Sequence, residues 1–224
     1  MHKQALTYIV RVIAQRALGL LLYLLGASWA MSFRSKVYFA LYFVSAIISS
    51  AVMYRANPTT LAERSKVDTN SPKWDKALLG IYWLLAFFFI YLVAGIESAK
   101  APPAGVAFWT GVILQLLSVA VVLWSMMVNT FLESTARVQT DRAQTVCKNG
   151  PYRIIRHPTY SSILLWCVSV SMVFATPIVM AVAAVVALII TIRTYLEDEM
   201  LKEQLVGYAE YSREVPYRLV PFVW

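Results

Sequence analysis

The chain has 224 residues, of which 59% are hydrophobic and only 14% charged, where a soluble domain runs to about half and a quarter. The charged residues gather between long uncharged runs, which excludes an ordinary soluble domain and points to an integral membrane protein. A net charge of +8 would suit a nucleic-acid binder, but the basic residues sit in the gaps between apolar runs, as on the inner side of a membrane, so no nucleic-acid partner is expected.

Residues 1–16 carry Lys3, Arg11 and Arg16 among apolar residues and lead into the apolar run 17–33. A basic start, an apolar run and Ser28-Trp29-Ala30 near its end have the outline of a signal peptide. Further spans follow at once, which favours a retained first transmembrane helix. Arg34-Ser35-Lys36 forms a polar break before a second span, 37–54. The polar segment 55–76 holds Arg55, Arg64, Lys66, Lys73 and Lys76, and the third span covers 77–96. A short loop ending in Pro102-Pro103 precedes the fourth, 104–128. A second polar segment, 129–159, is followed by two close and short spans, 160–175 and 178–192, with a charged, amphipathic tail from 193 to 224.

The expected fold is therefore all-α, an integral membrane helical bundle of about six transmembrane helices with a cytoplasmic C-terminal helical segment, since only helices satisfy their own backbone within lipid in this way. Seventeen of the twenty Lys and Arg residues fall on the side of the two termini and the long polar segments; Arg34, Lys36 and Lys100 fall opposite. The positive-inside rule makes the basic side, with both termini, cytoplasmic. Cys147 and Cys167 supply neither a disulfide framework nor a metal pair, and with histidine only at His2 and His157 no metal site is expected. No GxGxxG, Walker, HExxH or GxSxG pattern occurs. The spans 104–128 and 160–192 contain no Asp, Glu, Lys, Arg or His, which argues against a channel. Oligomeric state is not encoded in any readable feature.

The polar density peaks in Asn149-Gly150-Pro151-Tyr152-Arg153-Ile154-Ile155-Arg156-His157-Pro158-Thr159-Tyr160. Asn149-Gly150-Pro151 reads as a turn with Gly150 free to take positive φ. His157 is biased away from helical angles by Pro158, and Pro158 suits the first position of the fifth span. That helix N-terminus, with Arg153 and Arg156, forms a candidate site for a carboxylate or phosphate; the competing reading is a basic anchor to anionic membrane lipids. The positive surroundings favour a neutral His157 with a free acceptor nitrogen. Farther on, Glu197-Asp198-Glu199 closes an apolar run with Arg193 one turn earlier, either an ordinary i,i+4 ion pair or the acidic wall of a pocket whose basic wall is Arg153 and Arg156.

These residues resemble the membrane methyltransferase superfamily that includes isoprenylcysteine carboxyl methyltransferases and phospholipid N-methyltransferases. Arg55-Ala56-Asn57-Pro58-Thr59-Thr60-Leu61-Ala62-Glu63-Arg64 with Trp74-Asp75 is similar to an NPxxLxxR segment and a WD pair. Gly150-Pro151-Tyr152 through Arg156-His157-Pro158-Thr159-Tyr160 is similar to GPYxxxRHPxY. Arg193 through Glu197-Asp198, with Gly207–Tyr211 and Tyr217–Pro221, is similar to a carboxylate pair and closing segment. The resemblance implies a single methyltransferase domain over 1–224, with an N-terminal helical hairpin at 1–54 and the catalytic region at 55–224. It implies S-adenosyl-L-methionine as donor, lined by Tyr152, Arg156, His157, Pro158, Tyr160, Glu197 and Asp198. Asp198 stands where a second glutamate is usual. The acceptor would be lipidic or small and apolar, a carboxylate for example, with Arg193, Glu197 and His157 as catalytic candidates: Arg193 to orient a carboxylate, His157 or an acid to deprotonate an amine. Phospholipid N-methylation or thiol S-methylation are alternatives, and an NADPH-dependent sterol-reductase-like enzyme is a more distant one.

Overall fold

A computed structural model describes residues 2–65 and 71–224, and every regular element in them is helical. Lys66, one of the basic residues counted above, lies outside the described residues. The long helices are α1 (His2–Gly26), α2 (Phe33–Ala56), α6 (Val106–Val128), α7 (Pro158–Phe174) and α8 (Pro177–Gln204). α4 (Lys73–Leu84) continues through a π turn (Leu85–Phe89) into α5 (Ile90–Ile96) as one apolar helix. Short helices α3 (Pro58–Ser65) and α9 (Tyr208–Glu214) lie in the first polar segment and the tail. Among the described residues, five helices are long and apolar enough to cross a membrane, and α7, at 17 residues, is shorter. The protein is a multi-pass membrane helical bundle.

Three boundaries differ from the sequence reading. The first span is not 17–33: α1 runs unbroken from His2 to Gly26 because nothing in 2–25 interrupts a helix, so Arg11 and Arg16 lie within it. Arg34-Ser35-Lys36 is not a break but the first turn of α2, capped by Ser32, whose hydroxyl accepts from Ser35 N. The sixth span is not short: α8 has 28 residues and carries Arg193, Glu197 and Asp198 on its final turns.

Close backbone approach sets the bundle. Gly26 of α1 and Gly95 of α5 cross so tightly that an added Cβ would lie 2.4 Å from Leu92 O or 2.2 Å from Tyr23 O respectively, the small-residue packing that lets membrane helices touch. α7 packs most extensively on α6, where Ser118 Oγ donates to Ser162 O and Ser169 Oγ to Gly111 O, both at 2.7 Å. At the far end Arg34 donates to the carbonyls of Pro102 (2.7 Å), Pro103 (2.8 Å) and Val173 (2.6 Å), tying α2 to the C-terminal turn of α7, the end whose dipole favours a cation.

Glu97, only 1% exposed, accepts from Ile178 N at 2.9 Å and so caps α8. Burial would raise its carboxyl, but hydrogen bonds from its neighbours, Ile178 N and Lys100 among them, outweigh this and hold it below the ordinary value of 4.5. A depressed folded value means that its stabilisation is complete above 4.5 and is lost as the pH falls through the folded value. Glu97→Gln is expected to flatten the acid limb of a thermal-stability profile below neutrality; a limb as steep as the native one would show that Glu97 does not set it.

Candidate active site

The stretch 149–160 forms a 3-10 turn (Gly150–Arg153) and then the start of α7. Gly150 takes φ +57°, and a Cβ there would meet Trp124 Nε1 at 2.9 Å, so conformation and space both require glycine. His157 is the residue before the helix, at φ −124° and ψ 62°, with Pro158 first inside it. Arg156 N donates to Tyr217 O (2.9 Å) and His157 N to Arg218 O (3.0 Å). The core stretch is thereby laced to the closing segment, and Tyr211 adds its hydroxyl on Tyr152 O at 2.7 Å.

Asp198 lies at the centre of this junction, fully buried. Arg156 grips it with both Nε (2.8 Å) and Nη2 (3.0 Å); His157 Nε2 lies at 3.1 Å, and Tyr208 donates from 3.0 Å. Lys202 Nζ (3.0 Å) and Arg218 Nε (2.9 Å) complete the enclosure. Burial and the Asp198 charge push the Tyr208 phenol well above its ordinary value, so it stays protonated and donates. Arg156 also donates to Val215 O at 2.6 Å. Burial works against its charge, but the hydrogen bonds to Asp198 prevail and raise it above the usual guanidinium value.

The two-walled pocket of the sequence reading is therefore corrected. Arg156 and Asp198 do not face each other across a ligand; they are directly paired. Arg153 is exposed and takes no part in the junction. His157 does not stand in purely positive surroundings, because Asp198 is its nearest charged partner. Its ring stacks on Tyr160 at 5.8 Å and 8°.

Glu197 turns the other way, into a cavity of about 360 Å³. Neighbours on a helix are 100° apart, so adjacent carboxylates reach different surroundings. Glu197 accepts from the Tyr160 hydroxyl. One turn earlier Arg193, also lining the cavity, is held by Asp75 (Nε to Oδ1, 2.7 Å) and by Ser134 O (2.8 Å), with its guanidinium 5.2 Å from the Tyr160 ring centroid. Its partner is thus Asp75 rather than an i,i+4 glutamate. Asp75 is itself fully buried and accepts from Ala136 N at 2.9 Å.

Of the residues anticipated, Tyr152, Arg156, His157, Tyr160, Arg193 and Glu197 line the cavity, while Pro158 and Asp198 stand behind it. The sequence reading quoted Asp75, Tyr208 and Arg218 within family-like blocks but gave them no task. From its polar end at α8 the cavity continues along α7 and α6 to α1 and α2, where Val12, Ala46 and Met53 face it.

The fold and the site together make a multi-pass membrane bundle with a charged chamber at one end, closed by the 149–160 stretch and the C-terminal segment. Residues 111–203, from within α6 to the last turn of α8, match the model of the isoprenylcysteine carboxyl methyltransferase (ICMT) family, and over that region the chain is similar to this family. It is similar to protein-S-isoprenylcysteine O-methyltransferase B of Arabidopsis thaliana, at 36% identity over 90 residues, 39% of this chain and 45% of the plant protein. It is also similar to the uncharacterized protein YpbQ of Bacillus subtilis (strain 168), at 22% over 120 residues, 53% of this chain and 70% of that one. The chain thus spans less than half the length of the plant relative. The matched region contains Tyr152, Arg156, His157, Tyr160, Arg193, Glu197 and Asp198, and leaves out α1 to α5 and the latch.

Proposed function

We propose that the protein is a membrane methyltransferase that takes a methyl group from S-adenosyl-L-methionine and places it on a lipidic or small apolar acceptor, best a carboxylate, as in isoprenylcysteine carboxyl O-methylation. The observation that carries this reading is Glu197: a carboxylate facing the cavity whose bonded partner there, Tyr160, is neutral. It leaves negative charge for a cationic ligand, while Asp198 behind it is saturated by cations. The Tyr152 hydroxyl, buried in the same wall near Asn129, meets no hydrogen-bond partner at bonding geometry among the described residues and suits a polar ligand. Tyr152, Tyr160 and Glu197 would hold the donor, with Arg156, His157, Pro158 and Asp198 fixing their positions. When bound, such a donor supplies an electrophilic methyl group on a sulfonium.

Arg193 is positioned to orient an acceptor carboxylate, its guanidinium fixed by Asp75. A carboxylate needs no general base. An amine would have to lose a proton, and His157 already directs Nε2 at Asp198 and Tyr208. Alignment and exclusion of water would supply most of the acceleration. Membrane helices forming the far part of the cavity fit an acceptor arriving from the bilayer. The basic excess around the site favours its facing the cytoplasm, with both termini.

Titration of the protein in nanodiscs is expected to show saturable binding of S-adenosylmethionine and S-adenosylhomocysteine and none of NADPH. Failure of both adenosyl ligands to bind would end this reading, and NADPH binding would point to a reductase. Radiolabelled methyl transfer into a lipid extract should give an alkali-labile product, as a methyl ester is; an alkali-stable product would move the acceptor to an amine or thiol.

A further inference from the structure

Arg16 is unusual for its place. It stands 14 residues into α1, about 21 Å along a helix that rises 1.5 Å per residue, near the middle of a 25-residue apolar span. Its guanidinium lies 3.9 Å from the centroid of the Tyr42 ring on α2. Its Nε is buried without a hydrogen-bond partner among the described residues. A ring face attracts a cation but neither neutralises its charge nor accepts in-plane N–H groups.

Arg16 also lines the cavity that leads to Glu197, beside Gln15 on its own helix and Ser45 and Ser49 across from it on α2. Ser45 and Ser49 are four residues apart and so share one helix face. Polar side chains from two membrane helices thus line the same cavity as this cation, in a part of the bundle where apolar residues would serve packing better. Ionisable residues at such depth usually mark a pathway or a ligand. The next cation along the cavity, Arg64, is occupied by neutral groups, the Tyr8 hydroxyl (3.1 Å) and Glu133 O (3.3 Å), so it adds positive charge to the chamber.

We propose that the membrane-embedded end of the cavity binds the anionic group, a carboxylate or a phosphate, of a bilayer amphiphile, with Arg16 as its counter-ion and Gln15, Ser45 and Ser49 as hydrogen-bonding neighbours. The site stands apart from the Arg193–Glu197 end and outside the region that matches the ICMT family. It does not depend on the methyltransferase reading, in which the acceptor carboxylate lies at Arg193; the amphiphile held here is a separate lipid.

The test is native mass spectrometry of the detergent-solubilised full chain with oleate, phosphatidylglycerol, oleyl alcohol and inorganic phosphate, on the native protein, Arg16→Lys and Arg16→Gln. A charge-assisted contact is worth about 1.5–3 kcal/mol, so oleate or phosphatidylglycerol should bind saturably and about 10- to 100-fold more weakly to Arg16→Gln. Arg16→Lys should retain most of the affinity, and oleyl alcohol should bind weakly and without regard to residue 16. Preference for oleate assigns a carboxylate amphiphile and preference for phosphatidylglycerol a phospholipid. Binding of inorganic phosphate in place of both would overturn the bilayer source. Equal binding of oleate and oleyl alcohol to the native protein, or undiminished oleate binding by Arg16→Gln, would overturn the site and leave Arg16 as a packing partner of Tyr42. S-adenosylmethionine titration of the same samples separates the two proposals. Donor binding without Arg16-dependent anion binding defeats this one alone, and the reverse defeats the donor reading alone.

Discussion

Asp198→Ala is expected to cost about 3–5 kcal/mol, the usual penalty for removing one member of a buried charge cluster, and to release the C-terminal latch. The carboxylate is fully buried and joins three parts of the chain: Arg156 and His157 before α7, Lys202 and Tyr208 after it on α8 and α9, and Arg218 in the closing segment. Without it, the cations that converge there are left facing one another, Arg156 and His157 among them buried. Thermal unfolding in detergent, with hydrogen exchange over 149–160 and 208–224, would measure this. Asp198→Asn should behave nearly as badly, because its shape is kept but the charge is lost. Native-like stability and latch protection in Asp198→Asn would show that charge is not what holds the junction. His157→Ala should weaken the same junction, so it is a poor probe of ligand binding by itself.

Glu197→Gln should do the opposite. The side chain faces the cavity and keeps an acceptor for the Tyr160 hydroxyl as an amide, so thermal stability should stay close to that of the native protein. Affinity for a cationic donor should fall about 10- to 100-fold, the effect of removing one charged hydrogen-bonding partner worth about 1.5–3 kcal/mol. Tyr160→Phe should weaken binding less, since it leaves the carboxylate in place. S-adenosylmethionine titration in nanodiscs with a parallel melt reads both quantities. Unchanged affinity in Glu197→Gln would remove Glu197 from the donor site, and a fall in stability to match that of Asp198→Ala would make it part of the junction instead.

The contrast between these adjacent acids shows how far the chain could be read without coordinates. Both were recognised as candidates, and helical geometry already implied that neighbours one position apart do not share a face. Which of them turned inward depended on how α8 is rotated against α7 and the latch, and no local pattern carries that rotation. The same holds for Arg193, whose partner Asp75 lies 118 positions away. The Trp74-Asp75 pair was visible as a motif, but its contact was not. Arg16 was read as part of a basic leader because charge near the start of a chain usually marks a flank. The absence of any proline through residue 25 is the signal that it lies inside a span.

By itself the sequence determined the helical membrane class, the approximate spans, the basic end of the bundle and the stretch 149–160 as its densest polar segment. These follow from local rules: apolar runs long enough to cross lipid, the need of a buried backbone to bond to itself, and the turn chemistry of Gly150 and Pro158. Only the tertiary structure decided that Arg156 is paired with Asp198, that Glu197 faces the cavity, that Arg193 is fixed by Asp75 and that Arg16 opens onto the same cavity. The reason is physical: a helix fixes the spacing of its side chains, but which face meets which neighbour is set by packing among helices distant in the chain.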